Sequence, residues 1–386
     1  MDFTQTQKYE ILRDQLKKEN GFEDLIKASM EIMMRAEQEE YIKQTELYRN
    51  GYRPRKVYGC GKVFELRVPR VRGGAFYPLI LGILKQQEEE ARELAFELYG
   101  AGLTTRQVGT LFERIYGREY STSQVSRMFD YARGEIKAWL HRPIDKYYAV
   151  LYIDAVFINI RRGESCEKEA FYSIVGVKAD TTREVLAVVN NPTESAGYWH
   201  EIFGQIKERG VQEVGLVVSD GLKGIEDVVK EEFHGAAVQL CTVHLQRDCM
   251  REVRPGDRQR MSVELKEVLK AGVPGRTQGQ AYREWQELCE RWGKRYPAFK
   301  RRQNSERYRL YFTFLNYHYA IQDMVYTTNW VERLNRAHRR VTRMRGALPD
   351  VDSALLLLGN AAINMTAYKR RIARFLEDEE NFRWEA

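Results

Sequence analysis

Three acidic side chains occupy places where a carboxylate is costly unless something holds it. Asp154 interrupts the apolar run 147–160, Asp220 closes the run 213–220, and Glu332 lies within the arginine-loaded segment 327–340. A carboxylate on an apolar strand loses hydration, and divalent cations are the usual compensation. Two such groups brought together repel, and a shared cation relieves the repulsion. The chemistry this suggests is phosphoryl transfer on nucleic acid, with Asp154, Asp220 and Glu332 as catalytic ligands of Mg²⁺, for which Mn²⁺ can substitute. Two ions about 4 Å apart would activate a water or a 3′-hydroxyl and stabilise the leaving oxygen. Glu194 and Asp323 compete with Glu332 for the third place. Glu194 precedes a helix, where capping the first turn is the plainer reading.

The residues around these acids extend the picture. On a helix, Val331, Leu334 and Val341 mark an inward face with His338 between them, and Glu332 flanks it. Asn335, Arg336 and Arg339 stack on the side of Glu332. Six arginines (333, 336, 339, 340, 343 and 345) against one glutamate form a positive stripe between Thr327 and Gly346. Phosphate contact is expected from Asn335, Arg336, Arg339, Arg340 and Arg343. Cys241 and His244, spaced C-x-x-H, make half a zinc site with no second half in the sequence. The pair reads as a buried thiol and a histidine bonding near the site. The turn Gly221–Gly224 could offer amides to a phosphate.

The elements that must position these groups follow from periodicity. Strand-like runs at 147–160, 170–178 and 184–190 joined by tight connections predict an antiparallel meander. A helix near 196–209, a strand at 213–219, a helix at 222–233 and a strand at 236–243 predict parallel crossovers. Three antiparallel strands followed by αβαβ is the order of a ribonuclease H-like α/β fold. Adjacency of the first and fourth strands would bring Asp154 and Asp220 together at a strand end where ligands bind. Segment 245–325 lacks strand periodicity and reads as an all-helical insertion with aromatic residues in its core. A last helix is expected at 351–375.

The part before 147 reads as a DNA-binding region. Residues 1–50 are helical, with Leu25, Ile26, Met30, Ile32 and Met33 on one buried face. Segment 50–55 turns the chain into a short strand, 62–70. Arg67 and Arg70 there give either a solvated basic face or a phosphate-contacting one. Residues 88–138 have the pattern of a helix-turn-helix, with a helix ending at Gly100 and capping-box spacing at Thr104-Thr-Arg-Gln107 and Ser121-Thr-Ser-Gln124. The last helix would bury Val125, Met128, Phe129 and Ala132 and present Thr122, Ser123, Gln124 and Arg127 to a major groove. Packing of three helices without DNA contact is the alternative. The linking turn around Gly117 is longer than usual. The resulting division is 1–86, a mainly helical region with short strands; 87–146, the helix-turn-helix and linker; 147–244, the first part of the core; 245–325, the insertion; and 326–386, the rest of the core and the final helix.

Composition agrees with this class. The 386 residues hold 62 Lys and Arg against 55 Asp and Glu, a formal charge of +7 that mildly favours polyanionic partners. Five scattered cysteines without a C-x-x-C pair predict neither a disulfide framework nor a zinc ribbon, as in a reducing cytoplasm. The N-terminus lacks a signal pattern, and the longest apolar stretch, 354–365, is too short to span a bilayer.

Taken together these residues resemble the Mutator-type transposases of bacterial insertion sequences. The likeness rests on Tyr152-Ile-Asp-Ala155, Glu194-Ser-Ala196 with Trp199, Lys207-Glu-Arg-Gly210, Ser219-Asp-Gly-Leu-Lys-Gly224, Cys241 with His244, and Thr327-Thr-Asn with Glu332, Asn335 and Arg336. Upstream, Arg49-Asn-Gly-Tyr-Arg53, Val68-Pro-Arg70 and 121–127 also match. Asp248 and Cys249 depart from that pattern, and 1–48 is less recognisable. The resemblance implies strand cleavage and transfer at terminal inverted repeats, with double-stranded element ends and target DNA as partners and a homodimer or larger assembly on DNA. It also implies Asp154, Asp220 and Glu332 as catalytic metal ligands. A nuclease of the same fold, or a non-catalytic DNA-binding regulator that keeps it, are the alternatives.

Overall fold

The computed structural model describes residues 4–59, 62–73, 75–116, 120–180, 182–191, 196–343 and 345–363. Cys60, Gly74, Gly117, Glu194 and the stretch from 364 onward, including Lys369 to Arg371, lie outside the described residues. The chain forms two compact units, Met1–Tyr131 and Ala132–Ala386.

The first unit begins with α1 (Gln5–Leu16) and α2 (Gly21–Thr45), followed by the antiparallel strands β1 (Tyr48–Gly59) and β2 (Lys62–Arg72). The segment 50–55, expected as a turn, is part of β1. Its register shifts between Arg49 and Tyr52, with Gly51 at φ +64°, so the turn-forming residues make a bulge in an exposed strand and do not end it. Met30 and Met34 of α2 pack with Val57, Phe64 and Leu66 of the strand pair and with Leu81 and Leu84. Ile32 and Met33, expected on the buried face, are 63% and 51% exposed, because the inward stripe runs through Met30, Met34 and Gln38 at four-residue spacing. Gln38 Nε2 donates to the Arg70 carbonyl at 2.8 Å.

Next come α3 (Leu79–Gly100), α4 (Thr105–Tyr116), α5 (Thr122–Met128) and α6 (Asp130–Leu140), the last spanning the division between the units. Both expected capping boxes are formed. Gln107 N–H donates to Thr104 Oγ1 at 3.2 Å and Thr104 N–H to Gln107 Oε1 at 2.8 Å. Ser121 and Gln124 reciprocate in the same way. Val125 and Phe129 are buried, with Phe129 against Tyr99 and Phe96. Gly109 of α4 lets the backbone at Tyr120 come close: an added Cβ would sit 2.5 Å from the Tyr120 carbonyl oxygen.

The second unit is built on a five-stranded mixed sheet. The strands β3 (Tyr147–Arg162), β4 (Ser165–Val177) and β5 (Arg183–Asn190) form the expected antiparallel meander. Through α7 (Ala196–Glu208) the chain enters β6 (Glu213–Ser219), which lies parallel to β3. Through α8 (Ile225–Glu232) it enters β7 (Ala237–Leu240), parallel to β6. The strand order is β5-β4-β3-β6-β7. Central β3 is buried without interruption from Tyr148 to Ile153, as a strand covered on both faces requires.

All the elements from α9 (Thr242–Glu252) through α10 (Arg258–Val268), α11 (Gln278–Gly293), α12 (Pro297–Gln303) and α13 (Gln322–Val325) are helical, as expected for the insertion. Trp285, Trp292, Phe299, Phe312 and Phe314 are buried, and Trp285 stacks on Tyr308 with centroids 5.3 Å apart. These rings form a core. Buried Gln239 of β7 donates to the Tyr311 carbonyl and accepts from Phe314 N–H, tying the 3-10 stretch Glu306–Asn316 to the last strand of the sheet. The chain then returns to the sheet as α14 (Asn329–Arg343), which packs on β3, β4 and α15 (Val351–Ile363).

Candidate active site

Two neighbouring parallel strands, β6 and β7, end in register beside the middle of β3, which runs on to Arg162. Ile153 of β3 lies beside Ser219 of β6, and Ser219 lies beside Leu240 of β7. The next residue along each chain is Asp154, Asp220 and Cys241 respectively, so strand geometry alone sets the two carboxylates side by side. Cys241 N–H donates to the Ser219 carbonyl at 2.7 Å. Segment 241–244, expected within the last strand, instead opens α9, with Cys241 at its N-cap. The backbone changes from extended to helical there, and the C-x-x-H spacing carries His244 one turn on, over the strand ends. Ligand atoms of Asp154, Asp220 and His244 all lie within 4.8 Å of one another.

The helix α14 closes the site from the other side. Its inward face is Val331, Leu334, Asn335 and His338, all fully buried. Asn335 Nδ2 donates to Asp154 Oδ2 at 2.7 Å, while Ala155 N–H donates to Asp154 Oδ1 at 3.0 Å. Both carboxylate oxygens of Asp154 are therefore held in place. Buried Thr327 and Thr328 fix the start of the helix. Asn329 N–H donates to Thr327 Oγ1 at 3.3 Å, and Thr328 Oγ1 lies 3.4 Å from Cys241 Sγ. Tyr152 reaches from β3 to the Met324 carbonyl at 2.7 Å. Beyond α14, Leu348 bridges to Ile160, and Leu348 N–H donates to the Asn159 carbonyl at 2.9 Å.

Burial pushes the Asp154 carboxyl above its ordinary range, against the opposing pull of His244, the Ala155 amide, Asn335 and Arg339. His244 is raised to about 9, first through its interaction with Cys241 and then through the carboxylates of Asp154 and Asp220, with burial working against it. Burial alone would raise the Cys241 thiol, but His244 and Thr328 outweigh it and the thiol is lowered. The site thus sets two carboxylates, one of them disfavoured as an anion by burial, beside an imidazole whose protonated form Cys241 and those carboxylates favour. Two carboxylates and an imidazole are a donor set suited to a divalent cation, with the oxygens favouring Mg²⁺ or Mn²⁺ and the nitrogen the transition metal.

The remaining sequence expectations fall in different places. Glu332 is exposed on the first turn of α14, one turn before Asn335, and is not one of the three clustered groups. Asn335, expected on the DNA-facing side, is buried with its amide on Asp154. Arg336, Arg339, Arg340 and Arg343 are exposed, but Arg345 of the same stripe is buried. Thr122, Ser123 and Arg127 are exposed on α5, and Gln124 is half-buried in its capping box. Sequence reasoning misses the link from Asn335 to Asp154. Its one signal is an Asn four residues after apolar Val331, on the face that carries Leu334 and His338.

The family model described as "Transposase, Mutator family" matches residues 2–370. The chain belongs to that family. This transposase is 30% identical over 379 residues to a "Probable transposase for insertion sequence element ISRM3-like" of Sinorhizobium fredii, a match covering 95% of this chain and 92% of the relative. It is 28% identical, with the same coverage, to the "Transposase for insertion sequence element ISRM3" of Rhizobium meliloti. A "Probable transposase for insertion sequence element" of Corynebacterium diphtheriae is 31% identical over 75% of this chain and 84% of its own length. No helix among the described residues is long and apolar enough to cross a membrane.

Proposed function

We propose that this transposase binds the terminal inverted repeats of an insertion sequence and catalyses Mg²⁺-dependent strand cleavage and strand transfer, using Asp154, Asp220 and Glu332 as its catalytic acids. The observation that carries the reading is the end of the β3–β6 pairing at Ile153 and Ser219, which sets Asp154 in mid-β3 beside Asp220 at the end of β6. The strand order, with three antiparallel strands leading into two parallel ones, supports a ribonuclease H-like core interrupted by the insertion 245–325. When bound, a divalent cation would supply activation of the attacking oxygen and stabilisation of the leaving one.

The chain's own residues prepare for that chemistry. Asn335 and the Ala155 amide orient the Asp154 carboxylate, and burial keeps bulk water from screening it. Asp154 and Asp220 would hold the cation, with His244 beside them as a further ligand or counter-charge. Glu332, exposed on α14 one turn before Asn335, would join when DNA is bound. Exposed Arg336, Arg339, Arg340 and Arg343 follow it along the helix and would take the phosphates of the strand being cut. In the first unit, the capped start of α5 would present Thr122, Ser123, Gln124 and Arg127 as a helix-turn-helix reader of the element end. Synapsis of two ends calls for a dimer or larger assembly on DNA.

The test is cleavage of a duplex carrying the element's own end. Asp154→Asn and Asp220→Asn should each abolish Mg²⁺-dependent nicking while end binding stays within a few fold. Normal nicking by either variant would end the reading, and binding without any cleavage by the unaltered protein would favour a DNA-binding regulator.

A further inference from the structure

Besides the arginine stripe of α14, the chain carries a second dense block of positive charge that the catalytic reading does not use. The ribbon Tyr48–Arg72 carries eight Lys and Arg against the single acid Glu65, a net +7, equal to the formal charge of the whole chain. The remaining residues balance to zero. All eight basic side chains are exposed. Arg49 pairs with Glu39 at 2.7 Å, Lys62 pairs with Glu23, and Arg67 lies over the Tyr52 ring. Among the described residues, Arg53, Arg55, Lys56, Arg70 and Arg72 have no ion-pair partner.

The ribbon's architecture leaves this charge outward. α2 covers β2: Phe64 and Leu66 pack on Met30 and Met34, and Glu31 and Gln38 take polar groups of its backbone. β1 is exposed at every position from Tyr48 to Lys56. At about 3.3 Å per residue, that is a charged edge roughly 30 Å long. Tyr52 is flanked by the guanidinium groups of Arg35 and Arg67, at 5.4 and 5.1 Å from its centroid, which stiffens side chains that would otherwise be mobile. The hairpin end of the ribbon and α5 line one cavity of about 230 Å³, through Tyr58, Val63, Gln124 and Arg127. A duplex read by α5 would lie near this edge.

We infer that the β1 edge is a sequence-independent clamp on the phosphate backbone of double-stranded DNA, gripping the duplex through Arg53, Arg55 and Lys56. The inference rests on the DNA-binding reading above. A plainer role competes with it: charges and a proline blunt an unpaired strand edge against aggregation, and Pro54 sits among these residues. Edge protection needs only one or two lysines. It explains neither the arginine-rich composition, whose fork geometry suits phosphate, nor a net +7 within twenty-five residues.

The full-length protein and a short duplex of arbitrary sequence provide the test, with binding measured across a series of salt concentrations. Removing one basic group from a phosphate flattens the log–log salt dependence by about 0.9. The triple variant Arg53→Gln, Arg55→Gln, Lys56→Gln should therefore lose roughly two to three units of slope and more than tenfold in affinity at near-physiological salt. Arg53→Lys with Arg55→Lys should keep most of the slope. A triple variant with unchanged slope overturns the clamp. If the same variant also self-associates, the edge serves only to prevent strand pairing. No duplex binding by the unaltered protein at any salt would instead remove the DNA-binding reading beneath it.

Discussion

Asn335 and Asp154, separated by 181 positions, share a 2.7 Å hydrogen bond from the side-chain amide to the carboxylate. Asn335 is fully buried and Asp154 partly exposed, so the bond fixes the carboxylate from the protein side and leaves its other side open to the site. Asn335→Ala is expected to slow strand cleavage by about tenfold to a hundredfold, in the range usual for partners that orient metal ligands. Cleavage rate and thermal melting measured together check this; equal activity at equal stability would remove the positioning role.

The two clustered acids and Glu332 differ in their surroundings, which separates their roles by experiment. Chelation should abolish cleavage by the unaltered protein, and Mg²⁺ or Mn²⁺ should restore it. Glu332→Gln should abolish cleavage under both ions if Glu332 completes the site on DNA. His244→Ala should then lower activity more with Mn²⁺, whose affinity for an imidazole exceeds that of Mg²⁺. Steady-state cleavage with each ion reads out both. Full activity of Glu332→Gln alongside loss in His244→Ala would make His244 the third ligand.

His338 gives the fold an acid sensitivity. It is buried between α14 and α15, with Nε2 3.2 Å from the Leu358 carbonyl, and burial lowers it to about 4. In the unfolded chain it returns to an ordinary value near 6.5. Below that pH the unfolded state takes up a proton that the folded state refuses, so stability declines as pH falls from about 6.5 to about 4. The full loss is about 3 kcal/mol, taking about 1.36 kcal/mol for each unit of difference. Melting followed across this window should show the decline in the unaltered chain and a shallower one in His338→Gln; identical slopes would count against it.

The exposed arginines of α14 should behave as phosphate contacts. Neutralising Arg336 and Arg340 one at a time is expected to reduce the salt slope of end binding by about one each. An unaltered slope would return them to a solvated helix face.

The sheet and its acids were legible because their signals are local. Alternating and continuous apolar runs marked each strand, short connections marked the meander, and a single Asp in each of two apolar runs marked the site, in mid-strand on β3 and just past the end of β6. The strand character of 50–55 was hidden because Gly51 and Pro54 read as breakers in isolation, whereas an exposed ribbon edge accommodates both. The inward stripe of α2 was misphased by the apolar pair Ile32 and Met33, which the structure leaves in solvent. His244 joins the acids only because the chain switches from strand to helix at Cys241, a change of backbone that a four-residue apolar strand signals weakly. Asn335 meets Asp154 through tertiary packing, which no spacing along the chain encodes.

The placement of α14 after the helical insertion has a consequence for synthesis. A ribosome finishes the first unit and both clustered aspartates long before it makes Asn335, so Asp154 lacks its partner until α14 has been made. If the first unit binds element ends as proposed, a product that stops within 245–325 would compete for those ends without cutting them, and early termination would restrain mobility.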